Sequence, residues 1–193
     1  MSGQLTSSGL EVETQVAVRR PWVPGLVALR RWARAAHAVA GRAPGGERAT
    51  RRAAVCIRVV GAAESRALNR RFRGKDRPTN VLSFPASRAE RELAGALGDV
   101  VVCAAVVAAE ARRQHKAPEA HWAHMIVHGV LHLHGHDHLA RREAAAMERL
   151  EVEILRGFGY LDPYRPATPA KPGVTSPAGR RAERSASCRR NEP

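Results

Sequence analysis

The feature that most constrains this fold is a histidine cluster, HGVLHLHGHDH, running from His128 to His138. His128 and His132 are four residues apart, which places both imidazoles on one face of a helix. If the helix continued, His138 would lie about 15 Å beyond His128, too far away to share one metal ion. Gly135 can adopt the left-handed backbone that ends a helix, so we predict that the chain turns back there.

This arrangement predicts a catalytic metal site at a helix end, with His128, His132 and His138 as ligands. Three protein ligands leave one tetrahedral position open, as in catalytic zinc sites, whereas a closed structural site and a run of surface histidines are the alternatives. Three imidazoles also suit other divalent ions, and we predict one Zn²⁺ per chain. His124 and Asp137 are the candidates for supporting these ligands, because a straight helix cannot bring His124 to the same ion.

The histidine spacing also matches the metzincin protease motif, H-E-x-x-H-x-x-G-x-x-H. In that motif the glutamate after the first histidine is the general base, and this chain has Gly129 there. A metalloprotease is therefore only a remote alternative. Activation of water by a metal, together with many arginines, instead favours phosphodiester cleavage.

The charge of the chain favours a polyanionic partner. The formal net charge is +14 and the isoelectric point is near 11.3. Residues 165–193 hold seven Lys or Arg and two Glu, a net charge of +5, so residues 1–164 still carry +9. Nucleic acid is the first candidate for such a basic body.

Cysteine usage and hydropathy predict a cytoplasmic protein with no membrane segment. The three cysteines form no C-x-x-C pair, which is typical of a reducing compartment. The first twenty residues lack the apolar core of a secretory signal, and the longest apolar run, 100–109, is too short to span a bilayer.

Hydrophobic periodicity predicts an α/β fold, a single domain with a small mixed sheet of about four strands packed by about five helices. Strands are expected at about 11–18, 55–59, 80–84 and 97–103, and helices at about 26–40, 62–72, 104–114, 118–134 and 141–158. Ala67, Leu68 and Phe72 are expected on the buried side of the second helix. Residues 1–10 are predicted to be a flexible N-terminus, 11–164 the functional domain, and 165–193 a disordered basic tail.

Five sequence blocks together resemble the YbeY endoribonuclease family, also called rRNA maturation factors. The histidine cluster is close to the family signature H-G-x-L-H-L-x-G-Y-D-H, with His136 in place of the tyrosine. The other blocks are NRRFRGKDRPTNVLSFP (69–85), LGDVVVC (97–103), AHWAH (120–124), and a segment from Met147 through Glu151 to Gly159 and Tyr160. The match covers about residues 50–164, in the family's order.

The resemblance implies an α/β metalloprotein that binds zinc through the three histidines and cleaves single-stranded RNA. It implies a role in small-subunit ribosomal RNA maturation and ribosome quality control, with the small subunit and its assembly factors as partners. Arg73 falls on the family's functional arginine and would bind the scissile phosphate, with Lys75 as a weaker RNA-binding candidate. Asp76 and Ser83 would fix this loop near the metal.

The leading alternative is a non-catalytic ribosome-assembly factor that contains zinc. His136 also adds a possible metal donor in the turn. The remaining histidines, His37, His115 and His121, follow no pattern and are predicted to be surface residues. No aromatic platform for base stacking is evident in the sequence, and the sequence sets no oligomeric state.

Overall fold

A computed structural model describes residues 9–18, 20–41, 52–136 and 141–165, except for the side chains of Arg52 and Arg141. The predictions for residues 1–8, 137–140 and 166–193 lie outside this part of the chain. The elements, in chain order, are β1 (Gly9–Val16), α1 (Leu26–Ala40), β2 (Arg52–Val60), α2 (Ala62–Arg73), β3 (Val81–Pro85), α3 (Arg88–Ala94), β4 (Ala96–Cys103), α4 (Ala104–Arg113), α5 (Pro118–Leu133) and α6 (Arg141–Arg156).

The four strands form one mixed sheet in the order β1-β2-β4-β3. β1 pairs parallel with β2, and β2 pairs parallel with β4. β3 joins as an antiparallel edge strand, with Ser83 opposite Val100 of β4. The predicted fold class, a single α/β domain built on a small mixed sheet, is confirmed.

Alternating strand residues divide the apolar core between the two faces of the sheet, as the two-residue period of a strand requires. Val100 and Val102 belong to the larger cluster, which α1, α5 and α6 also enter. Val101 and Cys103 belong to a smaller cluster on the opposite face, where Leu68 of α2 and Phe84 of β3 pack. The helices therefore lie in two layers, one on each side of the sheet.

Helix α5 lies at the centre of the larger layer, and Gly129 is where it touches the sheet. A Cβ atom at Gly129 would lie 2.5 Å from Cγ1 of Val100 and 3.3 Å from Cγ2 of Val81. The hydroxyl of Ser83 donates a hydrogen bond to the carbonyl oxygen of Gly129, at 3.0 Å. The missing side chain thus lets the helix approach β3 and β4 closely.

The observed elements differ from the predicted ones in two instructive places. Helix α3 was not predicted, although Ser87 and Glu90 form the reciprocal capping box that often marks a helix start. The predicted buried side of α2 was only partly right. Leu68 packs against the smaller core cluster, but Ala67 is exposed and Phe72 is 54% exposed, while Ser65 and Asn69 are buried. These two polar side chains face inward since they hydrogen-bond the loop after the helix, at the backbone of residues 79 and 77.

No helix within the described ranges is long and apolar enough to cross a membrane.

Candidate metal centre

Four histidines form a column along one face of α5: His121, His124, His128 and His132. Residues three or four apart are neighbours on a helix surface. Successive ring centroids are 6.3, 6.2 and 4.5 Å apart, and the closest pair is His128 and His132. The predicted pair of ligands is therefore brought together at the C-terminal end of the helix.

The two Nε2 atoms of His128 and His132 lie 3.1 Å apart. Two nitrogen ligands of a tetrahedral zinc ion, each about 2.0–2.1 Å from the metal, would lie about 3.3 Å from each other. The observed separation is within a few tenths of an ångström of this value. The residues present therefore fit a metal ion on the donor type and on the spacing of two donor atoms.

Glu151 of α6 lies behind this pair and is fully buried. Its Oε1 lies 2.7 Å from Nδ1 of His128, and its Oε2 lies 3.2 Å from Nε2 of His124. The hydroxyl of Tyr164 donates a further hydrogen bond to Oε2. A buried carboxylate is stable only when donors surround it, and here three side chains do so.

These contacts determine which groups are charged. Burial by itself would raise the pKa of Glu151, but the hydrogen bonds and charges of His124 and His128 lower that pKa to about 2. Burial lowers the pKa of His124, despite the opposing effect of Glu151. Burial and the bond to Glu151 together raise the pKa of the Tyr164 phenol. At neutral pH the centre is thus an ionised carboxylate that accepts hydrogen bonds from a neutral His124 and a protonated phenol.

A second grouping of ligand atoms overlaps the first. Ligand atoms of His124, His128 and Glu151 all lie within 4.8 Å of one another, so these three residues could hold a metal ion. This set shares His128 with the predicted set, but Glu151 lies on the Nδ1 side of that ring and His132 on the Nε2 side. Glu151 was part of a sequence block but received no predicted role, because nothing in the sequence of α6 distinguishes it from Glu148 or Glu153.

The end of α5 follows the prediction made from Gly135. The helix ends at Leu133, and Gly135 has a φ of +80°. The backbone N–H of His136 then donates to the carbonyl oxygen of Leu131, at 3.2 Å, so the chain reverses at the helix end. His136 is half-buried beside this turn, and its pKa is lowered by burial. The predicted third ligand His138 and its neighbour Asp137 lie outside the described residues.

Two histidines predicted to be on the surface are buried. His121 is 3% exposed, and its Nε2 lies 3.0 Å from Oε2 of Glu110. His37 of α1 is 4% exposed, and its Nδ1 lies 3.0 Å from Nε2 of the buried His134. The prediction failed because each partner lies on a different helix, and 97 residues separate His37 from His134.

The RNA-binding candidates, Arg73 and Lys75, are exposed at the end of α2 and just beyond it. Between them Gly74 has a φ of +66°, which ends the helix and turns the chain toward β3. Asp76 accepts two hydrogen bonds from Arg66, at 2.8 and 2.6 Å, and Ser83 ties β3 to α5 next to His128. The first contact holds the loop after α2 against that helix, and the role predicted for Asp76 and Ser83 in fixing the loop near the metal stays a prediction.

Two matches to known sequences identify the family of this chain. The chain is 51% identical over 159 residues to the endoribonuclease YbeY of Alkalilimnicola ehrlichii, covering 81% of this chain and 92% of the relative. A solution structure of TM1509 from Thermotoga maritima aligns with 80% of this chain and 99% of its own, at 22% identity and a TM-score of 0.49. Residues 26–159 match the sequence model of the family described as endoribonuclease YbeY. The chain therefore belongs to the endoribonuclease YbeY family.

Proposed function

We propose that this chain is a zinc-dependent endoribonuclease that cleaves single-stranded RNA. We propose further that it acts in the cytoplasm, in maturation of the three-prime end of small-subunit ribosomal RNA and in ribosome quality control. Family membership supports the nuclease activity, and the basic net charge of +14 supports a polyanionic substrate.

The observation that carries the metal dependence is the 3.1 Å separation of the Nε2 atoms of His128 and His132. In this proposal both atoms bind the metal, and His138 is the third ligand. Glu151 is a less suitable ligand because both of its oxygens already accept hydrogen bonds. A carboxylate that accepts from the second nitrogen of a ligating histidine is instead the usual support of a zinc site.

In this proposal, the exposed cations of the chain bind the phosphate of the RNA and offset its charge. The bound ion would supply Lewis-acid catalysis. Arg73 binds the scissile phosphate in this proposal, because a guanidinium donates two parallel hydrogen bonds to phosphate oxygens and offsets the charge that develops there. Lys75 adds a second positive charge near the same phosphate. Hydrolysis consumes one water, whose oxygen bonds to phosphorus while the bond to a ribose oxygen breaks and that oxygen gains a proton.

The proposed partners are ribosomal RNA, the small ribosomal subunit and its assembly factors. Residues 11–164 would carry the nuclease, while the net charge of +5 in residues 165–193 would add salt-dependent affinity for RNA. A metzincin-type protease would need a glutamate at position 129, where the chain has a glycine pressed against Val100.

The test is cleavage of a ribosomal RNA precursor fragment by the purified, zinc-loaded chain, beside His132→Ala, Arg73→Ala and a control, Arg112→Ala. Arg112 is also an exposed arginine near the end of a helix, but it lies on α4. Circular dichroism establishes that each variant folds. The expected result is cleavage in single-stranded regions by the wild type and the control, and its loss in the other two variants.

Equal cutting by all four preparations would identify a contaminating nuclease and reject the proposal. Binding of the fragment without any cutting, by a folded and metal-loaded wild type, would favour the non-catalytic assembly factor.

A further inference from the structure

Near the end of α2, an aromatic side chain is exposed within a basic surface. Phe72 is 54% exposed, although a large apolar side chain is usually buried. The cationic residues around it in sequence are all exposed as well: Arg70, Arg71, Arg73 and Lys75. An exposed ring surrounded by cations is the combination that binds single-stranded nucleic acid, since cations attract the phosphates and the ring stacks on a base.

The Phe72 ring is held in a defined orientation. It packs against Phe84 of β3 in an edge-to-face arrangement, with ring centroids 4.9 Å apart and an interplanar angle of 68°. Phe84 is itself half-buried against the smaller core cluster. A ring fixed by packing loses little conformational entropy when a ligand stacks on it, which favours binding.

Arg71 occupies a face of the same ring in the structure. Its guanidinium carbon lies 5.2 Å from the centroid of Phe72. An exposed cation–π contact changes an equilibrium by about two- to fivefold, whereas stacking of one base on an aromatic side chain contributes about 5- to 150-fold. A base can therefore displace the guanidinium, which then remains beside the RNA as a charge for a neighbouring phosphate.

Phe72 is next to Arg73 in sequence, at the C-terminal end of α2. It precedes Arg73, the proposed ligand of the scissile phosphate. Its partner Phe84 lies on β3, the edge strand of the sheet, and packs on the face opposite α5. Because Phe72 and Arg73 are consecutive, a strand whose phosphate binds Arg73 brings a neighbouring nucleotide near this ring.

We propose that Phe72 is a stacking surface for one nucleobase of single-stranded RNA, next to the phosphate bound by Arg73. The proposal rests on the proposed function and adds to it a binding site for a base. Because stacking uses the π-face that every base has, the site selects unpaired nucleotides without selecting a sequence.

The test compares two fluorescent probes of equal length and charge, a 2′-O-methyl oligoadenylate and a polymer of abasic sugar phosphates. Anisotropy titrations with the full, metal-loaded chain give the affinity for each, and the probe is checked for intactness afterwards. The variants are Phe72→Ala, Phe72→Trp and the control Leu93→Ala, which removes another exposed apolar side chain, 89% exposed on α3.

We expect Phe72→Ala to weaken binding of the oligoadenylate about 5- to 150-fold, with its affinity for the abasic polymer unchanged. Phe72→Trp should bind at least as tightly as wild type, and the oligoadenylate alone should quench its added indole fluorescence. Leu93→Ala should match wild type with both probes.

Unchanged binding of the oligoadenylate by Phe72→Ala, or an equal loss for both probes, would overturn the proposal. If Phe72→Ala does not fold, indole fluorescence of Phe72→Trp that is unaffected by the oligoadenylate would overturn it as well. The cleavage assay tests the proposed function separately, because the titrations measure binding and no catalysis. If the chain binds RNA but does not cleave it, the proposed function fails while the stacking result still stands or falls by the titrations.

Discussion

Nδ1 of His128 lies 2.7 Å from Oε1 of Glu151, and Nε2 of the same ring lies 3.1 Å from Nε2 of His132. The carboxylate of α6 thus determines which nitrogen of His128 holds a proton and which presents a lone pair toward His132. Because Glu151 is fully buried and ionised, this hydrogen bond fixes the ring in the orientation that a metal ligand needs.

We therefore expect Glu151→Gln to weaken zinc binding by about 10- to 100-fold. The glutamine keeps the size of the side chain but replaces one acceptor oxygen with a donor, so a donor would face His124 or His128. The loss of a satisfied buried acceptor should also lower the free energy of unfolding by about 1–3 kcal/mol. Competition with a chromogenic chelator measures the affinity, and Glu153→Gln, an exposed position on the same helix, is the control. Equal zinc affinity in both variants would contradict this role.

Two single substitutions separate the overlapping ligand sets. His132→Ala removes a ligand from the proposed site and should reduce zinc affinity at least 100-fold. His124→Ala leaves the two Nε2 donors in place and should cost less, about 10- to 100-fold, as expected for a residue that supports the ligands through Glu151. Elemental analysis after dialysis gives the zinc content of each. A larger loss of zinc from His124→Ala than from His132→Ala would assign the metal to His124, His128 and Glu151 instead.

The buried pair His37 and His134 should make stability depend on pH. Burial, with the positive charges of His37, His136 and Arg91, lowers the pKa of His134 to about 4. The unfolded chain takes up this proton near pH 6.5, so the contribution to stability is complete above that pH and is lost as the pH falls toward 4. The whole loss is about 3 kcal/mol.

Urea unfolding at a series of pH values tests this prediction. His134→Leu should show a weaker decline in the free energy of unfolding between pH 6.5 and 4 than wild type shows. His115→Asn, which changes an exposed histidine, should decline as wild type does. Profiles of the same slope for wild type and His134→Leu would mean that His134 takes up its proton equally in the folded and unfolded chain.

Local signals in the sequence predicted most of the fold. At the metal centre they predicted His128 and His132, but not the roles of Glu151 and Tyr164. The bounds of α1 were predicted from helical periodicity and from the prolines and glycines that flank it, and the end of α5 from Gly135. The spacing of His128 and His132 placed two imidazoles on one face, because that relation depends only on helix geometry.

Apart from α3, whose capping box is a local signal, the features that sequence reasoning missed depend on contacts between residues far apart in sequence. Glu151 contacts His128 across 23 residues, and His37 contacts His134 across 97. Phe72 was assigned to the core because α2 was treated as an ordinary amphipathic helix. Its inward face is instead formed partly by Ser65 and Asn69, which hydrogen-bond the following loop. Neither kind of contact leaves a periodic trace in the sequence.

Gly129 gives a test of how closely α5 must approach the sheet. Gly129→Ala would place a methyl group 2.5 Å from Cγ1 of Val100, so the helix or the strand must shift. Overpacking of this kind costs about 1–3 kcal/mol, more than the gain of about 1 kcal/mol from replacing glycine in a helix. In the Val100→Ala background the methyl groups of Val100 are gone and Cγ2 of Val81 remains at 3.3 Å, so the same substitution should become much less destabilising. Thermal unfolding of the four proteins gives the coupling energy, and additive effects would show that the close approach at Gly129 imposes no constraint.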